Sequence, residues 1–172
     1  EQAKAQLDEL DDSANLIAKL EQDKKELLAR LKNSADNLTE TRQKVAQDIS
    51  IKITKELHEL GMKSSLFETK FKKLDEIGYN GQDDVEFVFS ANKGQELKSL
   101  SKTASGGELS RFMLAVKNIF LSIGSAETLI FDEIDAGISG ETGNIVGQKL
   151  HKITDFAQVI CITHLPQVAC YG

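Results

Sequence analysis

Residues 128–164 read TLIFDEIDAGISGETGNIVGQKLHKITDFAQVICITH, and this stretch decides the fold. Thr128-Leu129-Ile130-Phe131 is a short, wholly apolar run, and Val159-Ile160-Cys161-Ile162-Thr163 is another. Between them the spacing predicts a helix from about Glu141 to Ile153, with Ile145, Val146, Leu150 and Ile153 on its buried face. Strand, helix, strand with continuous apolar strands predicts a βαβ unit in a parallel sheet covered on both faces. Such sheets gather ligands at the carboxyl ends of strands and the amino ends of helices. Asp132, Glu133 and Asp135 follow the first strand, and His164 follows the second.

Upstream, Ala104-Ser105-Gly106-Gly107-Glu108 opens another predicted helix, whose apolar stripe is Phe112, Ala115, Val116, Ile119 and Phe120. Ser105 and Glu108 satisfy the capping-box pattern, which is a structural role. The paired glycines need a further reason, because each costs up to about 1 kcal/mol against alanine in a helix. Close approach of exposed N–H groups to an anion, with the helix dipole aimed at phosphate, supplies one. Before this helix, alternation over residues 63–72, the turn Gly78-Tyr79-Asn80-Gly81 and the run Val85, Phe87, Phe89 predict an antiparallel strand pair closed by Asn92-Lys93-Gly94.

Composition breaks at about residue 60. All 12 glycines lie at or beyond Gly61, every Phe and Tyr at or beyond Phe67, and the one proline is Pro166. Residues 1–60 step through Leu10, Ala14, Ile17, Glu21, Lys24, Leu28, Leu31, Ala35, Leu38, Arg42, Val45, Ile49 and Lys52, a mostly apolar heptad seam. A helix of about 50 residues extends roughly 75 Å and needs a partner helix along its seam. The competing reading is two helices folded back at Asn33-Ser34 or Asp36-Asn37, although a tight turn there would normally recruit Gly or Pro. Gly61 stops the helix at C′. The expected organisation is therefore a coiled-coil arm over 1–60 and an α/β lobe over 61–172.

The net charge of −6 and pI near 5.2 exclude a generally basic nucleic-acid binder. Lys70, Lys72 and Lys73 form a local basic cluster, best read as a solvated strand face. Two cysteines are too few for a disulfide framework, and Cys161 in its apolar run suits a buried thiol in a reducing cytosol. Cys161, His164 and Cys170 lack the fourth ligand and the spacing of a zinc site. No run of 18 apolar residues exists.

The order of these features resembles an ABC-type ATPase head. Ser105-Gly106-Gly107-Glu108 resembles the ABC signature, Leu129 to Glu133 the Walker B strand, Asp135 the D-loop aspartate and His164 the switch histidine. The arm points to the SMC-like branch. Longer strings, VEFVFSAN at 85–92, LSKTASGGELSR at 100–111, IFDEIDAGISG at 130–140 and THLPQVA at 163–169, resemble the RecN family of bacterial DNA repair proteins. The resemblance implies a carboxy-terminal head lobe that uses ATP and Mg²⁺ in recombinational repair of DNA double-strand breaks. It assigns Asp132 to the metal, Glu133 and His164 to hydrolysis, and Ser105, Gly106, Gly107, Glu108 and Asp135 to the nucleotide. Asp132, Glu133 and His164 would serve their own head's nucleotide, and Ser105 to Gly107 the γ-phosphate held by an opposing head. Implied partners are an amino-terminal lobe, a second head and DNA, in the cytoplasm at the nucleoid, with no membrane. One departure is clear: Gly-x-x-x-x-Gly-Lys-Ser/Thr occurs nowhere, so the phosphate-cradling loop is expected in another lobe. The chain also stops soon after His164, where the family continues, and so looks like the distal half of a head. A coiled-coil ATPase of chromosome organisation or transport, or a scaffold with an inactive head, are the alternatives.

Overall fold

The computed structural model describes residues 2–92, 94, 96–99, 105–120 and 128–172, with side chains from residue 15 onward. The 100–104 part of the signature string, Lys93 of the expected turn, and the Leu10 and Ala14 side chains of the seam lie outside the described residues. In chain order the elements are α1 (Gln2–Glu59), β1 (Leu66–Gly78), β2 (Gly81–Ser90), β3 (Lys98–Ser99), α2 (Gly106–Ile119), β4 (Thr128–Phe131), α3 (Glu141–Ile153), β5 (Gln158–Cys161) and α4 (Pro166–Ala169). They form two compact units, residues 1–43 with 72–84, and residues 44–71 with 85–172.

α1 is one continuous helix, so neither candidate break at residues 33–37 occurs. It ends in a Schellman arrangement. The Met62 N–H donates to Leu57 O (3.0 Å) and the Gly61 N–H to His58 O (3.2 Å), with Gly61 at φ +83°. The hydrophobic pair that accompanies this cap is Leu57 and Met62, both buried.

In the first unit, the outer end of the β1–β2 hairpin is held to α1 by polar side chains. Thr39 Oγ1 donates to the Asp83 carboxylate (2.8 Å), and Arg42 Nη1 lies 3.3 Å from Asp83 Oδ2. Gln82 Nε2 donates to Asp36 Oδ1 (2.8 Å). The two-residue connection Tyr79-Asn80 between hydrogen-bonded neighbours requires β1 and β2 to be antiparallel. The seam residues Ile17, Leu28, Leu31, Leu38 and Val45 are exposed, whereas Ala35 is buried.

The core of the second unit joins the last turns of α1 to the lobe: Ile53, Leu57 and Leu60 pack with Phe89, Phe131 and Val146. The Phe112 ring lies 5.5 Å from that of Phe67 and 5.7 Å from that of Phe89, centroid to centroid. Lys149 of α3 reaches Glu56 (2.6 Å) and Glu59 (2.7 Å) at the end of α1. β4 and β5 pair in parallel, Leu129 opposite Val159 and Phe131 opposite Cys161, with α3 as the crossover. That is the expected βαβ unit.

Three local expectations need correction. The β4–β5 pair is covered on one face only. Phe131 is buried, but Ile130 is 68% exposed and Ile160 and Ile162 are also exposed, because no described element packs on that side. Cys161 is accordingly half-buried rather than buried, and burial, with Asp135 and Asp132 nearby, raises its thiol above the ordinary range. Along β2, Val85 and Phe87 are exposed while Val88 and Phe89 are both buried, because β3 pairs only at the 88–89 end.

Candidate functional site

Parallel pairing of β4 with β5 brings the residues after both strands side by side. Asp132, Glu133, Asp135, Ala136, Ile162, Thr163 and His164 line one open pocket of about 440 Å³. Asp132 and Glu133 are exposed, and the His164 side chain is 73% exposed. All three residues that the sequence assigns to metal and hydrolysis therefore share one concave, polar surface.

Asp135 differs from its neighbours. It is only 2% exposed, and its Oδ2 accepts from Thr163 Oγ1, from the His164 N–H (2.9 Å) and from the Leu165 N–H (3.2 Å), with His164 Nδ1 at 3.2 Å. Burial works to raise this carboxyl, but the bonds from Thr163, His164 and Leu165 outweigh it and hold it below the usual aspartate value. The carboxylate ties the turn after β4 to the turn after β5. Asp135, assigned to the nucleotide by resemblance, thus also holds the main chain of His164 and Leu165.

The first turn of α2 meets the same turn from another side. Ser105 is the N-cap, with its N–H donating to Glu108 Oε2 (3.1 Å). Gly106 faces the Glu133 carboxylate so closely that a Cβ there would collide with Oε2. A Cβ on Gly107 would lie 2.7 Å from Glu133 O and 2.9 Å from Ala136 Cβ. The glycine pair thus has a packing reason that the sequence did not disclose: the helix start and the acidic turn are in contact. Gly107→Ala is expected to destabilise the chain by about 1–3 kcal/mol, the scale of overpacking, because neither a carbonyl nor a Cβ swings aside cheaply. Gly78→Ala, whose Cβ would find only Gly81 O at 3.9 Å, is the control. Urea unfolding of the two variants checks this, and equal midpoints would refute it.

The sequence reading missed Ser110, Arg111 and Thr163. The signal available for Arg111 was a charge four residues before Ala115 on the apolar stripe. Thr163 was a hydroxyl at the end of an otherwise apolar strand.

Among the described residues, no group of three His, Cys, Asp or Glu side chains could hold a metal ion, and no helix is long and apolar enough to cross a membrane. An exposed carboxylate at a strand end, as Asp132 is, does suit Mg²⁺, which is commonly held by one or two carboxylates plus substrate phosphates and water.

A parallel strand pair with acidic residues after one strand and histidine after the other, a glycine-paired helix start and a long helix make up a fold shared with part of an Smc head. In agreement, the chain superposes on an Smc head domain with coiled coil and joint from Pyrococcus yayanosii (TM-score 0.51, 20% identity, 77% of this chain and 24% of that one). No family model matches the chain. Curated relatives are more specific. The chain is 39% identical over 170 residues to the DNA repair protein RecN of Haemophilus influenzae, covering 98% of this chain and 30% of the relative. It is 43% identical over 159 residues to that of Treponema pallidum, covering 89% and 28%. The chain belongs to the RecN family, and spans about three-tenths of the length of these relatives.

Proposed function

We propose that this chain supplies the hydrolytic half of an ATP-driven head that works in the repair of DNA double-strand breaks. The observation that carries the reading is the convergence of Asp132, Glu133 and His164 on one pocket at the ends of two paired parallel strands, with the start of α2 against Glu133. Asp132 would hold Mg²⁺, which when bound supplies charge neutralisation at the phosphates. Glu133 would accept a proton from, or orient, the attacking water. His164, set by Asp135, would donate to or contact the terminal phosphate. Ser105, Gly106 and Gly107 would present backbone N–H groups to the nucleotide of an opposing head, so that nucleotide binding joins two heads and hydrolysis parts them.

The partners follow from what the chain lacks and what it exposes. A lobe carrying the phosphate-binding loop must complete the site, and the exposed Ile130, Ile160 and Ile162 face offers it an apolar sheet surface. The exposed seam of α1 suits a second arm helix. DNA is the substrate on which the cycle acts, in the cytoplasm at the nucleoid. Lys70, Lys72 and Lys73 are exposed, but no feature singles them out as its contact. Similarity to proteins named for DNA repair favours this role over chromosome organisation, and the intact acidic turn and histidine favour a working head over a scaffold.

Residues 1–172 alone are expected to bind Mg-ATP only weakly, with tight binding and turnover restored when a RecN lobe containing the phosphate loop is added. Calorimetric titration decides it. Micromolar binding by residues 1–172 alone would refute the half-site assignment.

A further inference from the structure

The turn from Asp132 to Ala136 contains Glu133 at φ +53°, the one non-glycine residue with positive φ among those described. A left-handed Glu costs of order 1–3 kcal/mol and persists only where its surroundings over-determine it. Those surroundings come largely from α2. Ser110 Oγ donates to Asp132 O (2.6 Å). Arg111 Nη1 donates to Ile134 O (3.2 Å) and Ala136 O (2.7 Å). The intervening carbonyls are taken within the turn, Glu133 O by the Ala136 N–H (3.0 Å) and Asp135 O by the Ile138 N–H (3.3 Å). Every carbonyl from 132 to 136 thus has a donor, and alternate ones are held by two adjacent side chains of one helix.

Arg111 is an unusual choice for that task. It is 7% exposed, its Nε is buried without a hydrogen-bond partner, and burial lowers its pKa, with Glu108 opposing. Burying a guanidinium against main-chain carbonyls is costly, yet one nitrogen of this one, Nη1, bridges the Ile134 and Ala136 carbonyls. The cation is therefore placed where it ties two carbonyls of the turn together and fixes backbone geometry.

We propose that Ser110 and Arg111 are positioning residues that hold the acidic turn, and through it the Glu133 carboxylate, on the first turns of α2. The inference rests on the ATP-hydrolysis reading above and deepens it. The helix that presents Ser105, Gly106 and Gly107 also grips the turn that carries the base. Docking of a second head on that helix start then bears directly on where Glu133 sits, without any intervening segment.

The test uses the full-length protein, with kcat expressed per nucleotide-binding site so that loss of folded material is discounted. Arg111→Met is expected to lower kcat by about 10–100-fold, the scale of misplacing a catalytic group by an ångström, with KM for ATP changed by less than about twofold. Ser110→Ala, which removes only one hydroxyl at a half-buried position, is expected to lower kcat severalfold, and Arg111→Lys to recover part of the Arg111→Met loss. Because these residues act through Glu133, neither Arg111→Met nor Ser110→Ala should cost more than about a further twofold in a Glu133→Gln background. Should Arg111→Met fail to fold, Ser110→Ala and its double variant carry the test. Near-normal kcat in the single variants, or losses that multiply in the double ones, would overturn the positioning role. Normal hydrolysis by Glu133→Gln itself would instead overturn the ATPase assignment on which it rests.

Discussion

Glu133→Gln in the full-length protein is expected to lower single-turnover ATP hydrolysis by about two or more orders of magnitude, the scale of losing a general base. The substitution keeps side-chain length and one acceptor oxygen, so contact with Gly106 and the left-handed backbone at residue 133 need not change. What disappears is the basic carboxylate. A negative charge near the triphosphate disappears with it, which favours retention of nucleotide. The reading therefore demands opposite effects: hydrolysis falls while ATP-dependent association of heads lasts longer. Asp132→Asn should behave differently, weakening Mg²⁺ dependence and nucleotide binding together. Quenched-flow hydrolysis and size-exclusion chromatography with ATP separate these outcomes. Normal hydrolysis by Glu133→Gln, or loss of association alongside hydrolysis, would make the acidic turn structural.

Ser105→Arg should abolish hydrolysis in the full-length protein while leaving ATP binding near normal. Ser105 is exposed at the N-cap of α2, and an arginine there is disfavoured by the helix dipole by only about 0.3–1 kcal/mol. The fold should therefore persist while bulk and positive charge block the surface offered to an opposing head. Binding survives because the phosphate loop of the same head is not touched. Glu133 lies against Gly106, so a new arginine could also pair with the base. Ser105→Leu removes that route and should lose hydrolysis as well. Equilibrium binding of a fluorescent ATP analogue, beside turnover and thermal melting, checks each step. Loss of binding with unchanged melting would place Ser105 in its own head's site and end the two-head scheme.

How much of this was legible beforehand varied by element. The βαβ unit was readable because each of its strands is a run of apolar residues and its helix has a regular apolar period, both local properties of the chain. The bounds of α3, Glu141–Ile153, follow the pattern directly. The stop at Gly61 was equally local, since a left-handed C′ residue at φ +83° selects glycine. The continuity of α1 was less certain, because neither Gly nor Pro marked a turn, yet a turn does not strictly require them. Coverage of the β4–β5 sheet was misjudged because an apolar run records that a face avoids water, not which polypeptide covers it.

The sequence by itself determined which candidate residues stand at strand ends and helix starts: the carboxylates after one strand, the histidine after the other, and the glycines opening a helix. Their types, order and neighbouring periodicity are enough, because strand ends and helix starts lie where the pattern changes. Only the tertiary structure decided what those residues do to each other. Asp135 turned inward to fix the backbone around His164, Gly107 gave way to a carbonyl, and Ser110 and Arg111 took hold of the turn that bears Glu133. Such contacts join residues more than 20 positions apart through main-chain carbonyls and N–H groups that every residue carries. Side-chain identity leaves them unmarked until packing brings the partners together.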